Sequence, residues 1–138
     1  MAHGARLSSV VMFVRDLDRS VNFYSGILGL KVADLSPTAA LLSNAERTQL
    51  VLRAMGLGAE RALGSVGVQY VVWTAAGKKD FERCERMLRE RAAHRETRSH
   101  DEVTLVEGRD PDDIVLMVTY PGPDQVPLHK LPPRIYGW

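Results

Sequence analysis

The chain of 138 residues has one cysteine, Cys84, so it closes no internal disulfide, and this usage predicts a reducing compartment. It holds nine aromatic residues, 7% of the total, so the few that occur are informative. Net charge is only +1, which removes any bulk electrostatic case for nucleic acid or an anionic membrane as partner. No stretch approaches the roughly 20 apolar residues a membrane helix needs. The opening MAHGARLSS lacks the apolar core of a secretory signal, so the cytoplasm is the expected location. Apolar content of 45% and charged content of 25% are those of an ordinary globular protein of one domain, or of two small repeats fused.

What is present is concentrated at residues 9–32, SVVMFVRDLDRSVNFYSGILGLKV. Val10, Met12 and Val14 alternate with Ser9, Val11, Phe13 and Arg15, and both faces start apolar, which predicts a strand buried on both sides. Asp16 or Asp18 caps the helix that follows, because a carboxylate accepts bonds from the free amides of a first turn. Val21, Tyr24 and Leu28 fall on one helical stripe, and Gly29 supplies the left-handed stop. Strands are predicted at 30–36, 39–43 and 48–55, with the glycine-bearing stretch 56–64 as linker.

The pattern then restarts. A buried-type strand is predicted at 66–74 and a helix at 78–93, with Phe81, Cys84 and Leu88 inward. Cys84 on that inward stripe reads as an inert thiol. A weak polar strand at 95–99, a strand at 103–107, the tight turn RDPDD at 109–113 and a strong strand at 114–120 complete it. Both halves read strand–helix–strand–strand–strand. His94 and His100, beside Asp101 and Glu102, read as solvated histidines. The tail 121–138, rich in proline and ending in Tyr136 and Trp138, reads as extended and packed on a surface or partner.

This organisation resembles the vicinal oxygen chelate superfamily, which includes glyoxalase I, bleomycin-resistance proteins, fosfomycin-resistance enzymes and extradiol dioxygenases. The resemblance is carried by VVMFVRDLDRSVNFYSGILGL at 10–30, VQYVVW at 68–73 and VEGRDPDDIVLMV at 106–118. The last resembles the family's Asp-Pro-Asp-Gly turn, with Asp113 in the glycine's place. It implies an α+β fold of two βαβββ modules, about 7–55 and 65–120, forming a cupped mixed sheet around a cavity in one domain spanning 1–138. It also implies a homodimer, and a divalent metal held from four strand positions that chelates vicinal substrate oxygens.

Those four positions fall on Ser9, Val51, Gln69 and Met117. Only Gln69 is a plausible ligand, and a divalent ion needs several imidazole, carboxylate or carbonyl donors. The expectation is therefore no metal and no cofactor; a divalent ion enters only if these positions are misassigned. An apolar cup would take the metal's place. By alternation Val11, Phe13, Val51, Val71, Trp73, Val115 and Met117 point inward, with Ser9, Gln49, Arg53 and Gln69 as polar points. Trp73 and Phe13 serve either the core or a wall on which an aromatic ring stacks. Arg53, near a strand end, reads more readily as a solvated edge residue than as a ligand contact. The function expected is metal-independent binding of a small, partly aromatic ligand, with antibiotic sequestration as the role and no catalytic residue identified. The alternative is a lyase, isomerase, cyclase or dioxygenase of the same superfamily, and a third reading makes the tail a protein-contact element.

Overall fold

In the computed structural model, residues 4–60 and 66–126 are described. The chain divides into two compact units, Met1–Arg61 and Ala62–Trp138, and the boundary falls inside the 56–64 stretch read as a linker.

The first unit runs β1 (Ser9–Val14), α1 (Leu17–Leu28), β2 (Lys31–Leu35), β3 (Ala39–Ser43) and β4 (Gln49–Ala54). Its sheet is ordered β1-β4-β3-β2, with β1 parallel to β4 and the other pairs antiparallel. A parallel neighbour needs a crossover, and α1 provides it. Asp16 is the cap: its Oδ1 accepts from the Arg19 amide at 3.1 Å. Gly29 ends the helix at φ 68°, the left-handed conformation that favours glycine. The buried helix stripe is Leu17, Ser20, Phe23, Tyr24 and Ile27, while Val21 and Leu28 lie at its margins. The stripe thus centres one position earlier than the periodicity predicts, because Phe23 and Ile27 bury more surface than Val21 and Leu28. Tyr24 remains inside, edge-on to Phe23 with ring centroids 5.2 Å apart.

Alternation then separates the two faces of this sheet. Leu50 and Leu52 of β4, with Ala40 and Leu42 of β3 and Val14 of β1, are buried on the side covered by α1. Each such leucine contributes about 1.5–3 kcal/mol by leaving water. The opposite face stays open. Val11 is 58% exposed and Phe13 60%, which corrects the expectation that β1 is buried on both sides. A parallel strand needs helices on both faces to be buried twice, and α1 covers only one.

The second unit repeats the order: β5 (Val71–Thr74), α2 (Lys78–Glu90), β6 (His94–His100), β7 (Val103–Arg109) and β8 (Val115–Tyr120), with sheet order β5-β8-β7-β6. The fifth strand is shorter than the 66–74 reading, and Val66 and Val68 are exposed. The N-cap of α2 is Gly77, which has no side chain to cap it, and Asp80 reaches back instead, its Oδ2 accepting from the Ala76 amide at 2.9 Å. Phe81, Cys84 and Leu88 are buried, as the spacing predicts. Burial pushes the Cys84 thiol up to about 11, with Asp80 adding to the rise and Arg83 opposing it. The thiol is therefore protonated at neutral pH and structural in character.

The weak polar strand forms in full because β7 pairs with it along its length. His94 Nε2 lies 2.7 Å from Thr97 Oγ1, and Thr97 in turn donates to Glu85 of α2. His100 lies 3.7 Å from Asp101. Beyond β8, the chain turns at 122–126 and seats Val126 against Val103. The rest of the tail reading, 127–138, lies outside the described residues.

Candidate functional site

The open face of the first sheet is built by register. β1 and β4 align Ser9 with Gln49, Val11 with Val51 and Phe13 with Arg53. Aligned residues of paired strands project from the same face, so the six first-half positions singled out by sequence stand together as three cross-strand pairs. β3 continues each row, with Ser43 beside Gln49, Leu41 beside Val51 and Ala39 beside Arg53. The face therefore has a polar end, an apolar middle and an end carrying an aromatic ring and a cation. Ser9 Oγ donates to Gln49 Oε1 at 2.8 Å, which fixes the amide.

In the second unit the face is set by Gly108. A Cβ at Gly108 would point at Leu88 of α2, so Gly108 and its partner Leu116 mark the helix side. Val71 pairs with Leu116 and Trp73 with Val118, so both lie on the helix side. Met117 and Val115 lie on the other, with Val72, Glu107 and Arg109. This corrects the expectation that Val71 and Trp73 share a face with Val115 and Met117. Both parities of β5 are apolar, so alternation alone leaves its sidedness open, and pairing with β8 decides it. Gln69 precedes β5, and its Nε2 donates to the Gly67 carbonyl at 2.9 Å.

Two residues on that second face were not singled out by sequence. Glu107 is the cross-strand partner of Met117 and is only 6% exposed. Arg109, two residues on along the same face, brings Nη2 to 3.9 Å from Glu107 Oε2. A hairpin count across the 110–113 turn would have placed Glu107 opposite Met117. Leu41 was missed on the first face for a similar reason: its strand was recognised without assigning its sides.

The donor set can be tested against the divalent ion that the resemblance implies. On the first unit, Ser9 is committed to Gln49 and Val51 has no donor. On the second, Gln69 is turned to its own loop and Met117 is a fully buried thioether. Among the described residues, no three His, Cys, Asp or Glu side chains are grouped to hold a metal. These residues do not fit a hard or borderline divalent ion.

A family model described as the Glyoxalase/Bleomycin resistance protein/Dioxygenase superfamily matches residues 6–118. Comparison with curated proteins finds no match. Among solved structures, the chain is similar to a glyoxylase/bleomycin resistance protein/dioxygenase domain from Frankia sp. EAN1pec. Identity is 24% and the TM-score 0.71, over 83% of this chain and 96% of that one. It is also similar to a lactoylglutathione lyase from Agrobacterium tumefaciens, at 16% identity and TM-score 0.66 over 86% and 95% of the two chains. A third is the fosfomycin resistance protein FosX from Mesorhizobium loti, at 14% identity and TM-score 0.65 over 91% and 98%. At these identities the likeness establishes the fold, an α+β pair of βαβββ modules as the sequence predicts.

Proposed function

Because the chain belongs to the glyoxalase/bleomycin resistance/dioxygenase superfamily, we propose that it is a metal-independent binding protein for a small, partly aromatic ligand. The ligand lies in an apolar cavity walled by the open face of the first module, and sequestration of an antibiotic is the role this binding serves. The observation that carries the reading is the pair Val11 and Phe13, more than half exposed on a strand where apolar side chains would otherwise be covered. Ser9 and Gln49, joined at the end of that face where the superfamily sets a metal ligand, supply the polar contact instead. We further propose a cytoplasmic homodimer as the working form. Among the described residues, no helix is long and apolar enough to cross a membrane.

Elemental analysis of the purified protein, combined with a thermal-shift screen of aromatic natural products, tests the reading. The expected outcome is a bound metal far below one equivalent and a raised melting temperature with one chemical class. A ligand at one hundred times its dissociation constant stabilises by about 2.7 kcal/mol, well within the reach of such a screen. Stoichiometric zinc, nickel, iron or manganese retained by the protein would overturn it.

One observation favours an enzyme instead. Glu107 is a buried carboxylate on the Met117 face, and a positioned carboxylate with a guanidinium beside it suits proton abstraction next to a carbonyl. Turnover of a compound found in the screen, abolished by Glu107→Gln while the shift in melting temperature persists, would establish that reading.

A further inference from the structure

We infer that the ligand is an anionic aromatic molecule, held lengthwise on the first module's open face with its acidic group at Arg53. The inference rests on the binding reading above and adds the chemistry of what is bound. Three rows define the surface: Ser9–Gln49–Ser43, Val11–Val51–Leu41 and Phe13–Arg53–Ala39. From Gln49 to Arg53 is four strand steps, about 13 Å at ~3.3 Å per residue. That length suits two or three fused or linked rings, with the middle row supplying only apolar contact.

The ends differ in character. At one, the Gln49 amide has its Oε1 already accepting from Ser9 and keeps its NH₂ as a donor group. At the other stand an exposed phenyl ring and an exposed guanidinium, with Ala39 beyond them leaving room above the sheet. Several other arginines are already engaged. Arg83 is paired with Asp80, Arg98 with Glu96 and Arg109 with Glu107, and Arg15 donates to the Ala59 carbonyl at 2.6 Å. Among the described residues Arg53 makes no ion pair. The other charges on this face, Lys31 and Asp34, sit on the outer strand β2 and offset each other in sign. The face is thus net positive, with its positive charge beside its aromatic group. A guanidinium in that position presents a planar fork to a carboxylate, sulfonate or acidic phenol while the adjoining ring stacks on Phe13. A cationic ligand would meet like charge there.

Two fluorescent probes that share a ring system test this on the full-length protein: 8-anilinonaphthalene-1-sulfonate, which is anionic, and N-phenyl-1-naphthylamine, which is neutral. Arg53 and Phe13 are both exposed, so substituting them removes no core packing. Arg53→Gln should weaken the sulfonate probe about fivefold or more and the neutral probe less than twofold. Phe13→Ala should weaken both, and added salt should weaken only the sulfonate. If Arg53→Gln changes both probes equally, or neither, the charge assignment is wrong while the binding reading stands. If Phe13→Ala leaves both unchanged, the ligand lies elsewhere. If neither probe binds the native protein, the binding reading itself fails.

Discussion

Replacing Gly108 with alanine is expected to destabilise the protein by about 1–3 kcal/mol, the range for forcing an added group into a filled core. A Cβ there would sit 2.8 Å from Leu88 Cδ2 and 2.9 Å from the Ala93 carbonyl oxygen. Neither neighbour gives way cheaply. Leu88 is fully buried at the end of α2. The Ala93 carbonyl holds the Arg109 amide at 2.9 Å, and the Ala93 amide donates to the Leu88 carbonyl at 2.8 Å. Moving Ala93 loosens the tie between α2 and β7. The consequence reaches the other face, because Glu107 and Arg109 flank Gly108 in the strand that this contact holds in place. Chemical denaturation of Gly108→Ala, Leu88→Ala and the double variant measures it. Leu88→Ala costs about 2–5 kcal/mol alone by opening a cavity. The double variant should be less destabilised than the sum by at least ~1 kcal/mol, because the new methyl fills space that Leu88 vacates. A Gly108→Ala variant within ~0.5 kcal/mol of the parent would show that the approach of α2 to β7 is looser than the structure has it.

The fold was legible in the sequence wherever a local signal carried a physical constraint. Asp16 and Gly29 bracket α1 because an anion and a left-handed residue are needed at those ends. The apolar run at 114–120 is a strand because β-branched residues crowd helices. Sidedness was less legible. Val11 and Phe13 read as buried because they are apolar, and a sequence does not say that one face of their sheet has no helix over it. Val71 and Trp73 read as inward because β5 is apolar on both parities, so its side is decided by the distant β8. In the first half, the register of β1 on β4 sets Ser9, Val11, Phe13, Gln49, Val51 and Arg53 on one face, as period-two alternation within each strand requires. Glu107 was missed because a lone glutamate in a strand resembles a solvated residue until its hairpin partner is counted.

The 110–113 turn shows how such a signal translates into energy, and Asp110→Ala is expected to cost about 2–4 kcal/mol. Asp110 is buried, and its Oδ1 accepts from two backbone amides, Asp112 at 2.8 Å and Ile114 at 2.9 Å. Its own amide donates to the Ile114 carbonyl and its carbonyl accepts from Asp113, both at 2.9 Å, so the side chain fills the centre of the loop. Alanine leaves two amides without that acceptor, each costing about 1–3 kcal/mol if water cannot reach it. Asn keeps an acceptor oxygen and loses the charge, so Asp110→Asn should cost about half as much. Asp113 takes φ 64°, a conformation Asp tolerates better than most residues, and the Asp110 network holds it there. Loss of that network should also free the start of β8, the strand that sets Met117 opposite Glu107. Thermal melts should show Asp110→Ala lower by about 6–12 °C, at roughly 3 °C per kcal/mol for a chain of this size. Equal melting temperatures for Asp110→Ala and the parent would mean that the turn is held by its backbone bonds alone, and that the resemblance at this motif is conformational rather than energetic.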